Sequence, residues 1–202
     1  MKLFHVAAAA LLAIAPAFAG ASSFVVDFEN PWSYGSDIGG YYAGGTADDG
    51  SSGANLGVSF VNVSGLSNDG DFTYYSGAPS PLGTAYAHDA AFMNVAGGVN
   101  AGLSFFYSTP GTVEGAVKVY SGLDGTGTLL GTFDLAANSS TAYDTWSRVT
   151  LRFDGVARSF DLSGSDNLVG FDNISAVPET ATSAMLLAGV ALLAGLGRRR
   201  RT

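Results

Sequence analysis

Few side chains in this sequence could carry out covalent chemistry. The chain has no cysteine and two histidines, His5 near the N-terminus and His88 in the interior. Nucleophilic catalysis needs a base beside the nucleophile, and neither a G-x-S-x-G turn nor a histidine pair with metal-ligand spacing is present. Two of the many carboxylates could hydrolyse a glycosidic bond if a sugar lay between them, but no pair is singled out. We therefore predict no enzyme activity, with an unrecognised hydrolase as a distant alternative.

Carboxylates near the two ends of the central region could instead hold a cation. Asp27 and Glu29 flank Phe28 near its beginning, and Asp172-Asn173 lies near its end. Calcium prefers several oxygen ligands from carboxylates, amides and backbone carbonyls. In a jelly roll the first and last strands are often neighbours, which would bring these side chains together. A structural calcium ion at Asp27, Glu29, Asp172 and Asn173 is the candidate cofactor, and exposed polar residues at strand ends are the alternative.

Aromatic side chains in a glycine-rich stretch offer a different kind of site. Rings that are exposed to solvent can stack on sugar rings while nearby polar groups bind the hydroxyls. The candidate glycan-binding residues are Trp32, Tyr34, Tyr41 and Tyr42. Packing of these rings beneath the loop that carries them is the competing interpretation. Trp146 opens an alternating segment, and we expect it in the core.

Short apolar runs separated by Gly, Asp, Asn and Ser must position these residues. No segment of the central region has a helical period, whereas several runs alternate or are rich in β-branched and aromatic residues. In 147–153, for example, Val149 and Leu151 share one face and Arg148 and Thr150 the other. The predicted strands are 24–29, 56–63, 72–75, 91–95, 103–108, 115–120, 129–135, 147–153, 157–162 and 168–174. This pattern predicts an all-β fold, an antiparallel β-sandwich or jelly roll.

Two connections carry their own expectations. Asp154-Gly155 stands between two predicted strands and is a typical hairpin signal. Residues 31–52 are rich in glycine, tyrosine and aspartate without a clear period, and we interpret them as a long surface loop. In 56–63 strict alternation would place Val58 and Phe60 opposite Val63.

Both ends of the chain differ in composition from the centre. Met1-Lys2, an apolar run and Ala17-Phe18-Ala19 predict a signal peptide over 1–19, removed after export by the Sec machinery. At the other end, 181–197 is uncharged and apolar, about 25 Å long as a helix, and would act as a single membrane helix. A cluster of arginines follows it and would hold the C-terminus in the cytoplasm: Arg198, Arg199, Arg200 and Arg201.

The region between these ends, 20–176, is long enough for one domain. It retains four of the nine basic residues and sixteen of the seventeen acidic ones, a net charge of −12. Nucleic-acid binding requires clustered Lys or Arg to contact phosphates, so this charge excludes nucleic acid as a partner.

The segment 177–202 resembles a PEP-CTERM sorting signal. The resemblance lies in Pro178-Glu179, the apolar run and the terminal arginines, in that order; Thr180 stands where the usual motif has a second proline. It implies a Gram-negative bacterium that makes exopolysaccharide, and recognition of Pro178 and Glu179 by an exosortase, a membrane protease-transpeptidase. It also implies a precursor anchored in the inner membrane and a mature form at the cell surface or outside the cell.

The central region resembles, more loosely, the jelly-roll domains that often precede such tails. The resembling stretches are 26–29, 120–131 and 170–174, and such domains are similar to carbohydrate-binding modules. The leading expectation is a structural or adhesive protein of an exopolysaccharide matrix or biofilm, sorted by exosortase. The alternative is a carbohydrate-binding module with a defined, calcium-dependent or calcium-independent, glycan site.

Overall fold

A computed structural model describes residues 24–67 and 75–177. The expected signal peptide, the Pro178-Glu179 motif, the apolar segment 181–197 and the terminal arginines lie outside the described residues. Within the described residues no helix is long and apolar enough to cross a membrane.

The described chain is built from nine antiparallel strands and one short 3₁₀ turn at Ser163–Ser165. The strands are β1 (Val25–Val26), β2 (Val58–Ser67), β3 (Gly83–Val99), β4 (Leu103–Ser108), β5 (Val113–Tyr120), β6 (Leu129–Leu135), β7 (Ser147–Leu151), β8 (Ala157–Asp161) and β9 (Gly170–Ala176). The prediction of an all-β antiparallel sandwich is confirmed. The predicted run 91–95 is one part of the much longer strand β3, and most of 72–75 falls outside the described residues.

The long strands β2 and β3 belong to both layers of the sandwich. They pair along their length, and each bends at a residue in the left-handed region, Asn62 (φ 52°) and Asp89 (φ 52°). Beyond the bend β3 pairs with β8, and before it with β9. One layer therefore continues through β8, β5 and β6 (the first layer), and the other through β9, β4 and β7 (the second layer).

The bend at Asn62 changes which side chains of β2 reach the core. Strict alternation put Val63 opposite Val58 and Phe60, and this prediction is wrong. The pairing register shifts between Val61 and Val63, so that Val58, Phe60 and Val63 are all buried and Val61 is exposed. A β-bulge inserts one residue into the strand and thereby reverses the faces that follow it.

The core lies between the two layers. In β5, Val117 and Val119 are buried and Lys118 and Tyr120 are half-buried on the other side, as the alternation predicts. In β7, Leu151 is buried while Arg148 and Thr150 are exposed. Phe105 and Phe171 meet in the centre, with ring centroids 5.5 Å apart.

The turn at Asp154-Gly155 does not form the expected hairpin. β7 pairs with β4, whereas β8 pairs with β3 and β5, so the two strands lie in different layers. Gly155 (φ 96°) lets the chain turn sharply. Asp154-Gly155 is a turn, as the sequence predicts, but this turn takes the chain from one layer to the other instead of joining two paired strands.

The segment 31–52 is irregular, as predicted, but more than a surface loop. Isolated bridges join Asp37 to Ser64 and Thr46 to Ser52. Four of its side chains are buried with the core: Trp32, Ile38, Tyr42 and Ala47. Its backbone is fixed by hydrogen bonds within the segment and to β2, for example from Ile38 N–H to Val63 O at 2.9 Å.

Candidate functional site

The four aromatic residues predicted to bind glycan separate into two environments. Trp32 is 3% exposed and Tyr42 is 5% exposed, and both belong to the hydrophobic core. Tyr41 is half-buried between them, with ring centroids 5.0 Å from Trp32 and 4.8 Å from Tyr42. The prediction of a stacking surface is therefore wrong for Trp32 and Tyr42, because no face of either ring is open to a sugar.

This inner group is held by more than apolar contact. The indole N–H of Trp32 donates to Phe28 O at 2.9 Å, and the Trp32 ring lies against Gly65, which has no side chain to displace it. The Tyr42 hydroxyl donates to Asp27 at 3.4 Å. Burial, followed by the nearby negative charge of Asp27, raises the pKa of Tyr42. These residues are structural: they fasten 31–52 to the core.

Tyr34 lies elsewhere, with 75% of its surface exposed. It is one of five residues on the outer face of the second layer that we call the aromatic surface: Tyr34, Tyr75, Tyr86, Tyr143 and Trp146. The Tyr75 ring contacts Tyr143 and Trp146, with centroids 5.2 and 5.8 Å apart. Burial raises the pKa of Tyr75, and the nearby phenol groups of Tyr143, Tyr86 and Tyr34 raise it further. Tyr75 is thus the centre of the group.

A glycine in β9 makes room for these rings. A Cβ atom on Gly170 would lie 2.8 Å from Cδ1 of Tyr75, closer than real Cβ atoms approach, and 3.1 Å from Cη2 of Trp146, closer than most of them do. Gly170 pairs with Tyr86 of β3 and with Ser108 of β4. The glycine therefore lets Tyr75 and Trp146 lie directly on the sheet beside Tyr86.

A loop held together by side-chain hydrogen bonds carries Tyr143. The Asp144 carboxylate accepts hydrogen bonds from the hydroxyls of Ser139 (3.2 Å), Thr145 (3.3 Å) and Ser140 (3.4 Å). These bonds, that of Ser139 foremost, lower the pKa of Asp144. Tyr143 itself is in the left-handed region (φ 52°), which is uncommon for a bulky residue and is enriched at binding sites.

Three buried polar atoms beside this face have no hydrogen-bond partner within the described structure: Thr84 Oγ1, Ser108 Oγ and Trp146 Nε1. Ser108 is paired with Gly170, and Trp146 contacts the same glycine. Buried polar groups are usually satisfied by protein or by ordered water. Buried polar atoms without a protein partner therefore lie at the aromatic surface.

His88 is engaged with carboxylates. Its Nε2 lies 2.8 Å from Asp37 Oδ1, and its Nδ1 lies 3.5 Å from Asp89. The Ser64 hydroxyl donates to the same Asp37 oxygen at 2.7 Å. The carboxylate thus stands between serine and histidine, whereas activation of a serine requires the histidine to stand between serine and carboxylate. The hydrogen bond to Asp37 raises the pKa of His88, and the pair ties 31–52 to β3.

The candidate calcium ligands are near each other in part. β1 pairs with β9 through Val25–Ser175 and Val26–Ile174, so the expected neighbourhood of first and last strands is confirmed. Asp172 is fully buried, and its carboxylate accepts the backbone N–H groups of Ser80 and Asn173, both at 2.7 Å. Burial raises the pKa of Asp172 to about 7, and the charge of Glu29 adds to this effect.

The other candidate ligands are directed elsewhere. Glu29 accepts the backbone N–H of Leu82 at 2.8 Å, and Asp27 accepts the Tyr42 hydroxyl. Asn173 is in the left-handed region (φ 49°), which breaks the alternation of β9 so that Phe171, Asp172 and Ile174 are all buried. Within 24–67 and 75–177 no group of three or more His, Cys, Asp or Glu side chains could hold a metal ion. Calcium therefore enters no step of the function proposed below and stays a prediction.

No family model matches the chain, and no curated protein matches it. Several solved structures are similar in part. A family 6 carbohydrate-binding module from Clostridium stercorarium in complex with cellobiose is 18% identical, over 60% of this chain and 87% of that one, with a TM-score of 0.41. The module CBM35 from Paenibacillus barcinonensis is 17% identical over 61% and 94% (TM-score 0.39). The K2 cleaved adhesin domain of Lys-gingipain is 12% identical over 78% and 99% (TM-score 0.45).

Identities and TM-scores of this size carry no inference about function, so the side chains must supply it. Of the aromatic surface, only Tyr34 is among the four glycan-binding residues predicted from the sequence, and Trp146 is expected in the core. It missed the group because its members come from distant segments. One signal was available: Tyr143 and Trp146 flank Asp144 in a Ser- and Thr-rich stretch, which is typical of a loop fixed by side-chain hydrogen bonds.

Proposed function

We propose that this protein binds polysaccharide through the aromatic surface and has no catalytic role. The observation that carries the proposal is the gathering of five aromatic side chains from four separate segments on one outer face, around Tyr75. Tyr and Trp rings provide large apolar contact faces with polar atoms at their edges, which suits a sugar with both C–H and O–H faces. These side chains have few rotatable bonds, and the loop that carries Tyr143 is held by hydrogen bonds to Asp144. Both features reduce the conformational entropy lost on binding.

The surroundings of this surface agree with binding rather than catalysis. Asp144 is occupied by three hydroxyl donors, and Asp172 is buried under two backbone N–H groups. Both carboxylates are therefore engaged by hydrogen bonds within the protein, whereas glycoside hydrolysis requires a pair of carboxyl groups that face the sugar.

The test is a titration of the full-length protein against a panel of polysaccharides, including the exopolysaccharide of its own host. Saturable binding that is lost in Trp146→Ala supports a defined module. Binding that does not saturate and is unaffected by Trp146→Ala would favour the second candidate, a structural matrix protein without a defined site.

The two ends of the chain support a proposed route to the cell surface. The signal peptide over 1–19 and the segment 177–202 would mark an exported substrate of an exosortase, and Pro178-Glu179 would be the recognised motif. A polysaccharide-binding domain would then be released or retained where exopolysaccharide accumulates. Intact mass of the protein from its host tests this: a mature chain that still carries the four terminal arginines would contradict cleavage.

A further inference from the structure

One cation lies beside the aromatic surface. Arg148 in β7 follows Trp146 by two residues, so both side chains are directed to the outer face of the second layer. Arg148 pairs in register with Phe106 of β4, which pairs in turn with Asp172 of β9. Its Nε–H donates to the hydroxyl of Ser104 at 2.8 Å, which holds one N–H of the guanidinium, while Arg148 as a whole remains exposed.

Among residues 24–67 and 75–177, no carboxylate forms an ion pair with this guanidinium. The ion pairs among the described residues are both made by His88. Ser104, which holds Arg148, is neutral, and the Asp144 carboxylate nearby in sequence is occupied by hydroxyl groups. Three other basic residues lie in 24–67 and 75–177. Lys118 is opposite Asp161 in the strand pairing, Arg158 donates to Ala96 O, and Arg152 is an exposed residue just after β7.

Resting on the proposed function, we infer that the aromatic surface selects acidic polysaccharides, with Arg148 as the group that binds a sugar carboxylate. The guanidinium presents parallel N–H donors that match a carboxylate, and such charge-assisted bonds are about twice as strong as neutral ones. The sugar ring would stack on Trp146 while its carboxylate reaches Arg148.

The net charge of −12 does not oppose this reading at physiological salt. The Debye length at 0.15 M is about 8 Å, so carboxylates on distant faces are screened while a contact at Arg148 is not. The negative surface would instead reduce non-specific adsorption of polyanions, which leaves the contact at Arg148 to discriminate between them.

The experiment compares polygalacturonate, alginate and hyaluronate, each with its carboxyl-reduced counterpart, as ligands for the full-length protein in 0.15 M salt. We expect at least one acidic polymer to bind tenfold or more tightly than its reduced form. Arg148→Gln should remove this preference, and Arg148→Lys should retain part of it. Arg158→Gln, which removes the same charge from the first layer, should leave the preference unchanged.

The outcomes separate this inference from the proposed function. Equal binding of acidic and reduced polymers, lost in Trp146→Ala, would overturn the charge selectivity and keep the carbohydrate site. The same result for Arg148→Gln as for Arg158→Gln would also overturn the inference. Failure of the host exopolysaccharide and of every panel member to bind would overturn both. Melting curves of each variant show that lost binding is not lost folding.

Discussion

The ring of Tyr75 lies on the backbone of Gly170, in the space that any side chain at position 170 would occupy. This contact fixes the height of the aromatic surface above the sheet. It also joins two segments nearly a hundred residues apart, the turn that follows residue 74 and the last strand. Substitutions at Gly170 therefore act on the surface without removing any of its rings.

Gly170→Ala should weaken polysaccharide binding while the protein stays folded. The added methyl group overlaps the ring of Tyr75 and displaces it, and overpacking of this kind costs about 1–3 kcal/mol of stability. Binding isotherms and a melting curve measure the two effects. Gly111→Ala is the matched control, because a Cβ there meets no atom within 4 Å. Equal affinities for both variants would show that the position of Tyr75 does not matter.

Trp146→Ala and Tyr143→Ala should each lower affinity by tenfold or more, which corresponds to about 1.4 kcal/mol. The reason is the loss of a stacking face that few other residues can replace. Tyr120→Ala serves as the control, since Tyr120 is a half-buried aromatic residue on the first layer. If Tyr120→Ala reduced affinity as much as Trp146→Ala, the binding face would have been assigned to the wrong layer.

Trp32→Ala should destabilise the fold and leave the affinity of folded molecules unchanged. Removing a large buried aromatic side chain costs about 3–5 kcal/mol, and Phe28 O also loses the indole donor. Urea unfolding gives the free energy of unfolding, and affinity is measured well below the transition. A loss of affinity without a loss of stability would show that Trp32 takes part in ligand binding.

The free energy of unfolding should fall as the pH rises from about 4 to about 7, because Asp172 titrates over this range. Its pKa is raised to about 7 by burial, so within this range the folded state holds a proton that the unfolded state has released. The free energy of unfolding falls by at most about 1.4 kcal/mol per pH unit from this group. Melting temperatures across this range, compared with those of Asp172→Asn, measure the contribution.

Asp48→Asn is the control for this titration, because it removes an exposed carboxylate. Identical pH profiles for the protein and Asp172→Asn would contradict the prediction. The same samples test calcium: an ion bound at Asp172 would favour the ionised form, raise the melting temperature at pH 7 to 8 and reduce the dependence on pH. An unchanged melting temperature in the presence of calcium would contradict the prediction of a calcium site at Asp172.

Local alternation predicted the strands well where one face is buried and the other wet. β7 follows it residue by residue, and β5 follows it over 117–120, because each packs one side against the core there. Earlier in β5, where the register shifts, Ala116 and Val117 are both buried. Alternation failed at Asn62 and Asn173, where a left-handed residue inserts a bulge. Asn is one of the few residues that tolerates this conformation, yet its occurrence does not show that the chain uses it.

The site was harder to predict than the fold. The loop aromatics Trp32, Tyr34, Tyr41 and Tyr42 have the same composition signal, but only contacts with the remainder of the chain separate the buried rings from the exposed one. Pairing of Gly170 with Tyr86 depends on the order of strands in the sheet, which local pattern does not contain. The sequence is enough to predict local hydrogen bonds, such as that between Ser139 and Asp144. It is not enough to predict which distant segments come into contact.

The residues of the aromatic surface come from positions 34, 75, 86, 143 and 146, and its floor from position 170. The surface is complete only when residues between 34 and 170 have come together. Under the proposed function, ligand recognition therefore begins only when β9 has joined the sheet. Folds dominated by such long-range pairings form slowly, in about milliseconds to seconds. The rate at which polysaccharide binding appears after dilution from denaturant therefore measures the rate of the final step of folding.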